Sequence, residues 1–303
     1  MAKKSKARKL AAQENSKKIS QEDDTQLPSV LLTPGYFPFA SYTSVVGVHT
    51  TLLAFATLFL PRTTEFLAPL VDSSTLTSKD RPQHPFLDAL TLNPAVTLAC
   101  ICVGAAVLQS WWGGWVRAWG IDFALQSSSL ERQIDRARLD ARKFTTLGNA
   151  WVTTAAASLF FHFILVFFGA PLASHIWQTY LLALLLSILA VFPPAYTLGS
   201  PLLTSEPTTW LAWVRLFAEF SSRTPVERAM LYPAVGTLLG CWLGTIPIAL
   251  DWDRPWQAWP LTPALGAVAG YILSSIAALT ANAIRFFADE HLRALHAAKI
   301  KTS

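Results

Sequence analysis

Six blocks of apolar residues, each near the length that a bilayer's hydrocarbon core demands, dominate this sequence. They run over about 40–60, 92–112, 147–170, 176–196, 226–250 and 263–287. A spanning helix needs ~20 mostly apolar residues, and within hydrocarbon a helix satisfies every backbone N–H and C=O inside one segment. The chain therefore reads as an all-α integral membrane protein with about six transmembrane helices. Composition agrees: 14% of the residues are charged and mean hydropathy is +0.37, where soluble domains carry about 25% charged residues.

Basic residues orient the spans, because connections on the cytosolic side are enriched in lysine and arginine. With the N-terminus in the cytosol, all but four of the 24 basic residues fall on that side. The exceptions are Arg62, Lys79, Arg81 and Arg254. Both termini are thus expected to be cytosolic and the 251–260 turn luminal. The same distribution argues against nucleic acid as a partner, since the net charge of +5 comes largely from the ends and cytosolic loops. Residues 1–35 read as a charged, largely disordered cytosolic tail, too poor in apolar residues to fold alone. Residues 36–290 read as one polytopic membrane domain, and 291–303 as a basic cytosolic tail. No cleavable signal peptide is expected, so the first span would serve as the signal.

Two cytosolic connections carry patterns of their own. Ser129–Lys143 places Leu130, Ile134 and Ala137 on one helical face among alternating charges, which suggests a solvated helix extension or a docking surface. Trp210, Trp213, Val214, Phe217 and Phe220 recur at helical spacing, the mark of an interfacial helix. After it, Thr224, Pro225 and Glu227 form a capping box with proline at the first helical position.

Signatures of catalysis are missing. The sequence contains no phosphate loop of the Walker type, no His-Glu-x-x-His pair and no Gly-x-Ser-x-Gly elbow. Cys100, Cys102 and Cys241 sit within apolar segments with neither disulfide nor metal spacing. His49 and His162 fall inside spans, where packing or one interhelical hydrogen bond competes with a functional role. No catalytic residue, metal ligand or cofactor is assigned.

The most unusual stretch is "PIALDWDRPWQAWPLT", Pro247 to Thr262, between the last two spans. Arg254 precedes Pro255 and is restricted to extended backbone. If the whole "DWDR" run is extended, Asp251 and Asp253 share one side, with Trp252 and Arg254 on the other. Charges at the bilayer centre cost roughly 2.5–3.5 kcal/mol each, so Asp251, Asp253 and Arg254 belong at the luminal interface beside Trp252, Trp256 and Trp259. Two readings stand: an aromatic-belted hairpin tip, or a site for a lipid headgroup or partner built from Asp251, Trp252, Asp253, Arg254, Pro255 and Trp256. Just upstream, Gly236, Gly240 and Gly244 form a small-residue ridge on one face, and Gly266 and Gly270 repeat the spacing in the last span. The ridge serves either internal helix packing or a partner helix.

"ERAMLYPAVGTLLGCWLGTIPIALDWDRPWQAWPLTPALGAVAGY", Glu227 to Tyr271, closely resembles the signature of the Pig-F family of GPI-anchor biosynthesis proteins, which has fungal members. One departure is Ala249, where the family pattern has proline. The resemblance implies an endoplasmic reticulum protein acting late in GPI assembly. Such proteins associate with and stabilise the catalytic subunits that transfer ethanolamine phosphate from phosphatidylethanolamine to mannoses of the GPI precursor. The partners expected are therefore those transferase subunits, together with membrane lipids such as phosphatidylethanolamine or the GPI precursor. Lys299 and Lys301, fifth and third from the end, resemble a dilysine-type retrieval signal. The alternative to an accessory subunit is a lipid-headgroup-binding enzyme, or a lipid-presenting or transport protein, that uses Asp251, Asp253 and Arg254.

Overall fold

The computed structural model describes residues 37–63, 85–124, 141–171, 173–204, 206–250 and 252–302. The 1–35 tail, most of Ser129–Lys143 and Asp251 lie outside them. Among the described residues, six helices are long and apolar enough to cross a membrane.

The first is α1, Phe39–Phe59. A short helix α2, Pro85–Thr91, then leads into α3, Pro94–Ala124. Asn93 opens α3 by accepting hydrogen bonds from the Ala95 and Val96 amides (3.1 and 3.3 Å), with Pro94 at the first helical position. Arg62, just past α1, lies 4.2 Å over the Phe86 ring and ties the end of α1 to α2. Next come α4, Lys143–Phe167, and α5, Ile176–Ala190. The fourth span does not end there: after Val191 it continues as α6, Phe192–Leu198. Pro193 and Pro194 supply no amide hydrogen, which is why the helix is interrupted at this point.

The segment expected to form an interfacial helix is α7, Pro207–Trp213, which runs on as one π-helical turn, Val214–Ala218. The fifth span is α8, Pro225–Leu243, followed by a 3-10 turn at Ile246–Ala249 that contains Pro247. A second 3-10 turn, Pro255–Gln257, precedes α9, Leu261–Thr302.

The six spans are those expected, with shifted ends. The second runs twelve residues past Trp112, to Ala124. The sixth runs through Thr302, so residues 291–302 continue α9 as helix instead of forming a separate tail. Its polar, exposed stretch beyond Phe287 has helix-favouring Ala, Leu, Arg and Lys and no Gly or Pro to stop it.

The central helix is α5. Leu182, Leu185, Leu189 and Ile188 are all but inaccessible, packed on Leu98, Ile101 and Ala105 of α3 and near Ala264, Ala267 and Tyr271 of α9. Helices α3, α4, α8 and α9 surround it, and α1 closes the bundle against α3 and α9. A second cluster joins Tyr42 and Val46 of α1, Trp112, Val116 and Trp119 of α3, Leu216, and Met230 of α8. The outer surface exposes large apolar side chains such as Phe163, Phe167, Leu273 and Ile284, as a bilayer-embedded protein requires.

The closest pairing is α8 with α9. A Cβ placed on Gly240 would overlap the Gly266 carbonyl, and one on Gly244 the Thr262 carbonyl. One on Gly236 would meet Ser274, and one on Gly270 the Gly236 carbonyl. The two backbones touch along this line, so the ridge of Gly236, Gly240 and Gly244 faces α9 and is not open to a partner helix.

Candidate functional site at the Pro247–Pro260 turn

Between α8 and α9 the chain crosses one end of the bundle, here called the Arg254 end. Leu250 is extended, the Trp252 amide donates back to the Leu250 carbonyl (2.9 Å), and Arg254 is extended at φ −109° and ψ 143°. The pre-proline expectation for Arg254 agrees with this. Asp253 does not: its φ is +48°, in the left-handed region. The run is therefore not continuously extended, and the expected alternation that put Asp253 on the side of Asp251 fails at this residue. Pro255 forbids helical backbone at Arg254, so the reversal is displaced onto Asp253, a residue type that tolerates the left-handed region.

The turn is held by Gln257, to which the sequence pattern gave no role. Its amide nitrogen donates to the carbonyls of Pro247 (2.6 Å) and Leu250 (2.7 Å), and its amide oxygen accepts from the Arg254 N–H (2.8 Å). One side chain thus ties the 3-10 turn at 246–249 to the turn at 255–257. Trp252 and Trp256 contact one another with ring centroids 5.7 Å apart. Trp259 donates from its indole N–H to Thr179 Oγ1 on α5 (3.0 Å), anchoring the far side. The Trp252, Asp253 and Arg254 side chains are exposed, Trp252 at 50%. Among the described residues neither Asp253 nor Arg254 forms an ion pair. The geometry is a clamped turn that projects an indole, a carboxylate and a guanidinium outward.

The opposite end holds a polar cluster that was only half legible. The Thr224 and Glu227 capping box is present: Glu227 N–H donates to Thr224 Oγ1 (3.1 Å) and Thr224 N–H to Glu227 Oε2 (3.2 Å). Glu227 also accepts from the Arg223 amide (2.6 Å) and pairs bidentately with Arg215 (2.6 and 3.2 Å). That pairing strengthens the hold of Arg215 on its proton. Beside it Arg228, almost fully buried, donates from Nε to Asn282 Oδ1 (2.5 Å), and Asn282 donates to the Pro225 carbonyl (3.1 Å). These links join the interfacial helix to α8 and α8 to α9.

In the interfacial segment the π-helical turn alters the expected face. Trp213 turns inward, donating to the Gly199 carbonyl (3.0 Å), and Phe217 packs beside the fully buried Leu216, while Trp210 and Phe220 stay exposed. His49 is buried between α1 and α3, stacked on Trp112 at 5.1 Å, with no hydrogen-bond partner for Nε2 among the described residues. His162 has its ring 6.1 Å from that of Tyr180. Lys299 lies on α9, and the backbone at Lys301 is helical as well.

Comparison with known families decides the relationship. The family model described as GPI biosynthesis protein family Pig-F matches residues 83–279, which reach from just before α2 through the clamped turn and into the first half of α9. The chain belongs to the Pig-F family. Similar proteins within reach of this Pig-F member include glycosylphosphatidylinositol anchor biosynthesis protein 11 of Pyricularia oryzae. It is 40% identical over 124 residues, covering 41% of this chain and 42% of that protein. The protein of the same name in Yarrowia lipolytica is 41% identical over 140 residues, covering 45% and 57%. A human relative, "GPI ethanolamine phosphate transferase, stabilizing subunit", is 38% identical over 112 residues, covering 37% and 48%. The chain spans about half the length of the curated relatives it matches. No solved structure matches it.

Proposed function

We propose that this Pig-F member is an accessory, stabilising subunit of the endoplasmic reticulum transferases that add ethanolamine phosphate to mannoses of the GPI precursor. Chemistry then resides in the partner chain, and this chain supplies a membrane-embedded surface. The reading is carried by the clamped turn. Trp252, Asp253 and Arg254 are projected outward on a turn fixed by Gln257, an arrangement suited to being touched by another molecule. It is supported by the family match over residues 83–279 and by the name of the human relative. In this proposal both termini face the cytosol and the turn faces the lumen, where the positive-inside distribution leaves Arg254 among the few basic residues. Lys299 and Lys301 then lie on the cytosolic side as a retrieval signal.

A second reading is favoured by the exposed Asp253 and Arg254 themselves. The carboxylate and guanidinium, with Asp251, are matched to the ammonium and phosphate of an ethanolamine headgroup. One experiment separates the two. Asp253→Asn and Arg254→Ala chains are expressed in cells lacking the endogenous copy, and co-purified transferase is quantified beside GPI intermediates. The accessory reading expects reduced transferase recovery in proportion to the ethanolamine-phosphate defect. Full recovery of the complex with blocked transfer would instead assign the turn to the headgroup, and normal levels of both would refute each role.

A further inference from the structure

A cavity of about 760 Å³ lies between α4, α5 and α8, beneath the clamped turn. Its volume falls within the roughly 300–1,000 Å³ of small-molecule sites. Helices α4 and α8 both pack on α5 far more than on each other, so they splay, and Leu186 of α5 forms part of the floor. One wall carries Phe161, Leu165 and Phe168, and the other Leu238 and Trp242. Phe168 is 80% exposed and Trp242 66%, so the recess opens sideways along the surface that faces hydrocarbon. Among the described residues no charged side chain lines it.

Depth and direction are set by the two walls. Phe161 to Phe168 and Leu238 to Thr245 each cover about two helical turns, so the recess runs roughly 10 Å along the helix axes. It reaches the Arg254 end, where Ile248, Ala249 and Trp259 form the rim. Ile248 and Ala249 belong to the 3-10 turn that Gln257 binds to the Arg254 turn. A partner span is a stiff rod ~30 Å long and about 10 Å across, which cannot fold into so short a recess. A flexible hydrocarbon chain can. Through Gln257 the rim is tied to the backbone of Arg254, whose exposed guanidinium carries planar donors that suit a phosphate.

We propose that this recess holds an acyl chain of a bilayer glycerophospholipid, with the lipid phosphate drawn to Arg254. Each methylene seated there leaves no water behind, since the alternative environment is also hydrocarbon. Selectivity therefore comes from shape along the walls and from charge at the rim. The assignment concerns this chain alone and holds whether or not a transferase is bound.

The test uses the full chain in nanodiscs containing a phosphatidylethanolamine with a diazirine on one acyl chain. After irradiation, adducts are mapped by mass spectrometry. Adducts are expected to concentrate on 161–171 and 238–249, above those on the lipid-facing Val103 and Val107 of α3. Ile164→Trp, which fills the recess, should cut them roughly tenfold, a loss of ~1.4 kcal/mol. Arg254→Ala should lower adducts from this probe but not from a diazirine fatty alcohol. Leu238→Trp, on the opposite wall, serves if Ile164→Trp loses its monodisperse gel-filtration peak. Uniform labelling of all lipid-facing helices, or labelling unchanged in both tryptophan variants, would overturn the proposal. So would equal labelling by this probe of wild-type and Arg254→Ala chains.

Discussion

Gly240 and Gly114 are both helical glycines, yet the fold treats them oppositely. A Cβ at Gly240 runs into the Gly266 carbonyl, whereas a Cβ at Gly114 meets nothing within 4 Å. Gly240→Leu should cost more than the ~1–3 kcal/mol of ordinary overpacking, because backbone must move to admit the side chain. Gly114→Ala should be neutral or stabilise by up to about 1 kcal/mol through lost unfolded-state freedom. Thermal melts in detergent read both, and equal melting of the two variants would contradict the packing described. Gln257 carries the second residue-scale prediction. Gln257→Ala removes three hydrogen bonds from the turn and should cost about 1–3 kcal/mol, with faster proteolysis at 250–258 and unchanged cleavage elsewhere. Gln257→Glu keeps the acceptor for the Arg254 amide and loses both donors, so it should fall on the side of alanine. The glycine spacing was legible as a ridge, but its use was not, because only the register of α9 against α8 decides it. Gln257 was not legible at all: one glutamine in a loop has no pattern, and its partners are fixed by the fold of that loop.

At the scale of elements, the bilayer makes the spans easy to read and their ends hard. Twenty apolar residues announce a helix whatever follows, but nothing in hydropathy says that α3 continues to Ala124 or α9 to Thr302. The capping box at Thr224 was readable because its partners lie three residues apart. The Arg215 to Glu227 pair and the Arg228 to Asn282 bond were not, because they join different elements. The pair predicts a coupling. Glu227→Ala leaves Arg215 and two backbone amides without their acceptor and should cost about 3 kcal/mol, as breaking a partly buried pair from one side does. Arg215→Ala should cost less, since the capping box survives it. The double mutant should be well short of additive in a melting experiment, and strict additivity would show that the two side chains do not act together. The π-helical turn is a further limit on reading: of Trp210, Trp213, Val214, Phe217 and Phe220, which the helical spacing put on one face, Trp210 and Phe220 are exposed while Trp213 and Phe217 pack inward.

For the whole molecule the open question is sidedness, and it has a direct test. Cysteine introduced at Trp252 should react with a membrane-impermeant maleimide only after the luminal face of sealed microsomes is opened. Cysteine at Arg293, on the exposed far part of α9, should react without opening them. Of the three native thiols Cys102 and Cys241 are buried, and Cys100, partly exposed within α3, is replaced by serine to remove its background. The reverse pattern would invert the proposed topology and place the Arg254 turn in the cytosol, away from luminal chemistry.

The glycine contact between α8 and α9 also limits how this protein can move. Helices that meet through ordinary side chains can slip past one another by exchanging rotamers. Here bare backbones interlock, and an axial slip of a fraction of a turn would press the carbonyls of Gly236 and Gly240 onto the backbone of α9. The pair behaves as a ratchet stop with one rest position. A piston stroke along either helix is thereby closed off, and α8 and α9 can shift only together, as one body.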